Sequence, residues 1–297
     1  MKCSQAGALL GFAVSVMGHG FVYQIDVDGT LYPGYYPQQD YFKGYKRIAF
    51  SAGGTVAVMN ATSPDLACNS WAQAPALIAT ARAGSNITYN WSPWVPSHKG
   101  PMTTYMAPYE GDLAKTNLNK LEFFKTAEEG LSKDGKVWAT DRLIDNKGLW
   151  TTTIPSDIKP GLYVLRHELL ALHFATSNSN WWYIPGGAIA PQFYIHCFNL
   201  NVTGTGTQSP KGVTFPGAYA PDTPGLVFDI FKNKTTYPIP GPPLYKEKSP
   251  GPALAPNPRS FISATGDPVK DEEYNKTMAH ELTMLGIVTG MFNAAGG

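Results

Sequence analysis

The side chains best placed to do chemistry in this 297-residue chain are its histidines, and the most informative stands behind an export signal. Residues 1–18 carry a basic Lys2, an apolar run over 6–17 and small residues closing at Gly18, the pattern of a secretory signal peptide. Ser15 and Gly18-His19-Gly20 cut that run short of the roughly 20 apolar residues a membrane span requires. Cleavage after Gly18 would start the mature chain at His19, whose α-amino nitrogen and imidazole Nδ1 can close a chelate ring on one metal. In the absence of a metal the amine titrates near about 7.7–8.0 and the imidazole near about 6.5, so both deprotonate at modest cost when a metal competes. A nitrogen from a second histidine completes a T-shaped, all-nitrogen set that suits Cu(II) and tolerates Cu(I). That would be a redox site.

Other chemistries fit less well. His167-Glu168 with His173 reads HExxxxH, whereas a zinc protease helix needs its second histidine at 171, where Ala171 stands in a segment with strand character. No G-x-S-x-G elbow is present to carry a hydrolase serine. A glycoside hydrolase needs two suitably separated carboxylates. Glu110, Asp141 and Glu168 are candidates of the kind any long chain holds, which leaves that reading weakly supported.

The elements that must position these groups read as short strands. Charged residues make up 15%, below the usual share of about 25%, which argues against a highly charged disordered chain. A net charge of +1 provides no field to gather nucleic acid or anionic lipid. Thirty glycines and 25 prolines with 12% aromatics suit strands divided by many turns. Apolar and polar residues alternate over 21–26, 54–59 and 83–91. The run 161–174 is apolar on both faces and belongs at the centre of a sheet, with a second strand over 192–202. An antiparallel β-sandwich with long loops follows, with a helical turn or two within 115–133. From 246 to 297 a proline-rich composition predicts an extended or disordered tail, whose apolar 282–291 could form a short helix, dock, or belong to a lipid-anchor signal. The expected organisation is a signal over 1–18, one domain over 19–245 and the tail over 246–297.

Removal of Cys3 with the signal leaves Cys68 and Cys197, which in a secreted domain form either one disulfide or two buried thiols. Sequons at Asn60, Asn86, Asn201, Asn233 and Asn275 agree with an extracellular route. In a strand of period two, Gln192 and Tyr194 face one way and Cys197 the other.

Several motifs occur together in order: Tyr32-Pro33-Gly34-Tyr35, Ala67-Cys68-Asn69, Ser97-His98-Lys99-Gly100-Pro101, Tyr105-Met106-Ala107, the run 163–173, Gln192-Phe193-Tyr194-Ile195-His196-Cys197, the run 215–219 and Ile239-Pro240-Gly241-Pro242. With His19-Gly20 at their head, they make residues 19–245 resemble the fungal lytic polysaccharide monooxygenases of auxiliary activity family 9, formerly glycoside hydrolase family 61. The resemblance implies an immunoglobulin-like β-sandwich, a copper brace of His19 and His98, Tyr194 in the axial position, His173 and Gln192 beside the oxygen site, and a Cys68–Cys197 disulfide. It further implies a secreted monomer that cleaves β-1,4-glucan chains of cellulose at C1 or C4. The cosubstrate would be O2 or H2O2, and electrons would come from a small reductant or a redox protein such as cellobiose dehydrogenase. The alternative is a secreted copper- or glycan-binding protein of the same fold without turnover.

A crystalline fibre cannot enter a pocket, so a flat surface with stacking aromatic rings is expected, with Tyr35, Tyr36 and Tyr219 as candidates. His167 reads as a hydrogen-bonded core histidine, Arg166 with Glu168 as a buried ionic arrangement, and His280 as a solvated tail residue. The chain departs from the family pattern in a longer connection over 176–190, which could reshape the rim or add Trp181 and Trp182 to substrate contact. It departs also in Ile195-His196, where a proline-containing pair is common, and in a tail without the cysteines of a small cellulose-binding module.

Overall fold

The computed structural model describes residues 20–37, 46–52, 56–175, 191–220, 222–232, 235–252, 254–255, 257–262 and 276. The strands are β1 (Val22–Val27), β2 (Thr30–Pro33), β3 (Ala79–Arg82), β4 (Asn86–Trp91), β5 (Met102–Tyr109), β6 (Phe124–Glu129), β7 (Leu149–Thr153), β8 (Gly161–Ala171), β9 (Gln192–Thr203) and β10 (Ser260–Phe261). They form two five-stranded sheets, ordered β10-β2-β1-β4-β7 and β3-β9-β8-β5-β6. Asp28 and Gly29, with φ of 51° and 89°, make the tight β1–β2 hairpin whose twist matches its strands.

The two-faced apolar run expected at 161–174 has a structural reason. In β8, Tyr163, Leu165, Leu169 and Ala171 face the first sheet and join Ile25, Tyr89 and Trp91 in the core between the sheets. Val164 and Leu170 face outward into a second core roofed by loops, with Phe193, Ile195 and Cys197 of β9 and Leu66, Phe215 and Tyr219 of the loops. Register pairs Leu169 with Tyr194 and Ala171 with Gln192. Gln192 and Tyr194 therefore share the inner side while Cys197 turns outward to its disulfide with Cys68. Closing a loop of 129 residues restricts the unfolded chain by about 4–5 kcal/mol in the entropic account.

The sandwich is mostly antiparallel, as expected, with parallel pairing at β3 with β9 and β10 with β2. The segment 115–133 adjoins or contains tight turns at Leu113–Lys115 and Leu118–Lys120, but its second half is strand β6, paired with β5. The helix α1 (Ala139–Asp145) lies beyond it, started by Asp141 accepting from the Trp138 amide at 2.9 Å and ended where Gly148, at φ 84°, donates to the Leu143 carbonyl at 2.8 Å. Of 54–59, residues 54 and 55 lie outside the described residues, and Val58 makes an isolated bridge to Phe193.

Part of the extended segment past 245 makes specific contacts with the sandwich. Residues beyond 245 dock at the end of the sandwich where β8 begins. Asp157 accepts from the Tyr245 hydroxyl at 2.9 Å and the Lys248 amide at 2.7 Å, and Glu247 accepts from the Ser156 amide and hydroxyl. Arg82 donates to the Ala255 carbonyl at 2.9 Å before β10 adds to β2. The apolar 282–291, with His280, lies outside the described residues. Ending the chain after 245 strips backbone donors from Asp157, which is 5% exposed. The expected cost is roughly 1–3 kcal/mol, read by calorimetry as a midpoint about 3–10 °C lower. An unchanged midpoint would show that the segment adds nothing.

Candidate metal centre

The opposite end of the sandwich gathers the end of β4, the end of β8 and the start of β9. Phe21 and Ser92 bind each other twice, Phe21 N to Ser92 Oγ at 3.0 Å and Ser92 N to Phe21 O at 2.8 Å, which fixes the start of the described chain beside β4. Gly20 lies against Trp94 so closely that a Cβ there would fall 2.7 Å from the indole Cε3. His19 lies outside the described residues.

His98 sits on the loop between β4 and β5, held chiefly through its backbone. Its amide donates to the Val95 carbonyl at 3.1 Å, and its carbonyl accepts from Trp94 Nε1 at 2.9 Å. Lys99 pairs with Asp141 of α1 at 2.6 Å, Gly100 N donates to Thr140 Oγ1 at 3.1 Å, and Leu172 N donates to the Lys99 carbonyl at 2.9 Å. The missed helix α1 thus anchors the histidine loop. Ser97 Oγ lies 3.1 Å from His98 Nδ1.

The expected partners of His98 converge on it. The His173 ring, just past β8, is centred 3.7 Å from the His98 ring at a 30° tilt. Tyr194 meets Trp94 edge to face at 4.9 Å, and its hydroxyl donates to Gln192 Oε1 at 2.9 Å. Burial pushes the Tyr194 phenol up, so it stays protonated at neutral pH and offers a neutral oxygen. Trp94, which the sequence reading did not single out, touches Gly20, His98 and Tyr194 together. Its only sequence signal is its place four residues before His98, since the contacts that matter come from other strands.

Behind these groups lies His167, a core residue as expected. Trp91 Nε1 donates to its Nε2 at 3.3 Å, Thr104 Oγ1 lies 2.9 Å from its Nδ1, and Tyr89 stacks on the ring at 3.8 Å. This environment satisfies a neutral imidazole, and burial pulls its pKa well below 6.5. In the unfolded chain the group titrates near its ordinary value, so below about pH 6.5 the unfolded state binds a proton that the native state refuses. Stability is fully present above that pH and is lost as the pH falls through the window below it. The expected loss from this residue is about 1 kcal/mol between pH 6 and pH 5, read from urea midpoints. A His167→Gln variant is expected to show a shallower slope, and an equal slope would contradict the assignment.

The proposed stacking rings are corrected. Tyr35, Tyr36 and Tyr219 are 8%, 4% and 2% exposed, so none offers a face to a glycan. Tyr35 lies under the Arg47 guanidinium, Tyr36 meets Phe21 edge-on, and Tyr219 stacks on Phe193 while donating to Glu168 Oε1 at 2.8 Å. Trp181 and Trp182 lie outside the described residues. Of the sequons, Asn60 is exposed in a turn where it accepts from Thr62 N and Oγ1, Asn86 is exposed on β4 and Asn201 is half-buried in β9. Asn233 and Asn275 lie outside the described residues. The carboxylates do not form a hydrolytic pair: Glu168 is buried beside Arg166, and Asp141 is engaged by Lys99 and the start of α1.

A model of Auxiliary Activity family 9, formerly GH61, matches residues 19–237. The chain belongs to Auxiliary Activity family 9. Among its relatives, the family 9 lytic polysaccharide monooxygenase C of Geotrichum candidum is 43% identical over 250 residues, covering 82% of this chain and 45% of that protein. This chain therefore spans less than half of that relative's length. Monooxygenase A of Thermoascus aurantiacus is 40% identical over 236 residues, covering 76% and 99%. Two solved structures from Hypocrea jecorina share the fold. Cel61B, a glycoside hydrolase family 61 member, superposes with a TM-score of 0.68 at 36% identity, covering 76% of this chain and all of that one. The extended catalytic domain of LPMO9A gives 0.69 at 32%, covering 83% and 99%. The β-sandwich read from the sequence is thus the family's.

The family implies copper, and the residues fit it. The His98 imidazole and the neutral Tyr194 phenol are donors Cu(II) accepts, and a chain cleaved to begin at His19 would add the amine and imidazole that make the set nitrogen-rich. The missing side chain at Gly20 leaves room for its own backbone against the Trp94 indole.

Proposed function

We propose that the protein is a secreted, copper-dependent lytic polysaccharide monooxygenase acting on cellulose or a related β-glucan. The observation that supports this reading is the packing of the His98 ring on His173, with Trp94 joining His98 to Gly20 and to the Tyr194–Gln192 pair. In this reading the signal 1–18 is removed, and His19 and His98 hold the metal. When bound, copper supplies the one-electron chemistry by which O2 or H2O2 hydroxylates C1 or C4 beside a glycosidic bond.

The protein groups do the rest. Tyr194, kept protonated by burial, occupies one side of the centre and limits approach from the core. Its hydroxyl uses Gln192 Oε1 as acceptor, which would leave the amide N–H groups of Gln192 as donors to an incoming O2 or H2O2. His173, against His98, is placed to give or hold a proton as oxygen is reduced. With O2 the balance is one C–H, one O2, two electrons and two protons to one C–OH and one water. With H2O2 one C–H and one H2O2 give one C–OH and one water, with no net electrons. The hydroxylated carbon then expels the neighbouring sugar. The electrons come from a small reductant or a redox protein such as cellobiose dehydrogenase, and the protein works as a monomer.

The test is incubation of the chain starting at His19 with cellulose, copper and ascorbate, followed by mass spectrometry of the soluble sugars. Oligosaccharides oxidised at C1 or C4, formed only with both copper and reductant, are the expected products. Copper binding and cellulose binding without oxidised sugars would identify a non-catalytic binding protein instead.

A further inference from the structure

We infer that Trp94 is the positioning residue that sets the spacing of the copper donors, and that Gly20 lacks a side chain in order to seat the chain start on its indole. The inference rests on the copper reading above. Trp94 is 7% exposed and follows β4 of the first sheet, while Tyr194 belongs to β9 of the second. Its ring stands perpendicular to Tyr194 at 4.9 Å and to His98 at 5.8 Å, and Trp91 backs it edge-on at 5.8 Å. Its Nε1–H donates to the His98 carbonyl at 2.9 Å. On its remaining edge, Cε3 and Cζ3 would lie 2.7 Å and 3.0 Å from a Cβ at position 20.

One rigid side chain therefore contacts the backbone next to position 19, the backbone of His98 and the ring of Tyr194. An indole has two rotatable bonds, and here each is fixed by packing from both sheets. The donor residues belong to three separate segments, and alongside the Phe21–Ser92 bonds a plate that touches all three segments can set their distances. Supporting groups that orient metal ligands typically change metal affinity by about 10–100-fold when removed. Gly20 has the complementary role, because any Cβ would push the chain start off the plate or tilt the plate against Tyr194.

The experiment uses the chain starting at His19, copper-free and then loaded with Cu(II), in four forms: wild type, Trp94→Phe, Gly20→Ala and the double variant. Copper affinity by chelator competition and the Cu(II) paramagnetic resonance spectrum are read beside the copper-free thermal midpoint. Trp94→Phe keeps a ring but loses the bond to His98, and about a tenfold loss of affinity with a changed spectrum is expected. Gly20→Ala is expected to lose a similar factor. The double variant is expected to lose less than the product of the two, because the smaller ring makes room for the methyl group. Wild-type affinity and spectra in both single variants, losses that only track the copper-free midpoint, or independent losses in the double variant would overturn the inference while leaving the copper site standing. A wild-type chain starting at His19 that takes up no copper would overturn both.

Discussion

His98→Ala is expected to reduce copper affinity by at least about 100-fold, beyond the range typical of supporting groups, and to bring oxidised-sugar formation to background. The expected selectivity of this change follows from how the loop is built. The carbonyl and amide of His98 make the bonds that hold it, to Trp94 Nε1 and Val95, and both survive truncation of the side chain. Lys99–Asp141 and Gly100–Thr140 fix the next residues to α1. The copper-free midpoint of the variant is therefore expected to stay close to wild type. Retained high-affinity copper binding would show that His98 is not a ligand.

The second large effect concerns stability. Arg166 and Glu168 are 0% and 1% exposed on the outer face of β8, with Nη2 and Oε2 at 2.6 Å. Arg166 Nε also donates to the Leu66 and Ala67 carbonyls at 3.0 and 3.1 Å, next to the disulfide cysteine. Glu168 Oε1 accepts from Tyr219 at 2.8 Å and from Thr103 at 3.3 Å, and the guanidinium lies 4.0 Å from the Phe215 ring. Glu168→Ala strands a buried guanidinium and is expected to cost about 3–5 kcal/mol in urea unfolding. Replacing both charges, as Arg166→Met with Glu168→Leu, removes the stranded charge and is expected to restore most of that loss. A single variant within about 1 kcal/mol of wild type, the size of one ordinary hydrogen bond, would contradict this account of the outer core.

Much of the site was legible in the sequence because its groups sit in contiguous motifs with strand periodicity. Alternation along 192–197 put Gln192 and Tyr194 on one side and Cys197 on the other, and the sheet register keeps that arrangement. The apolar 161–174 announced a central strand because both of its faces are covered, one by the first sheet and one by loops. Helix α1 was not legible, because seven residues are too few for helical periodicity to stand out and its stability comes from the Asp141 contacts. The stacking tyrosines were misplaced because burial depends on tertiary partners. Tyr219 looks like a loop aromatic in sequence and becomes core only when Phe193, Tyr105 and Glu168 surround it. The contacts of the segment past 245 were not legible for the same reason. A proline-rich composition disfavours a central strand but does not prevent backbone amides from binding Asp157 or a short edge pairing with β2.

Native mass spectrometry of the protein collected from culture medium reads its first residue and its metal content together, and it tests the copper centre most directly. The expected species begins at His19 and carries one copper ion. A species with any residue left before His19, or one that begins there and leaves copper supplied in solution unbound, would contradict it.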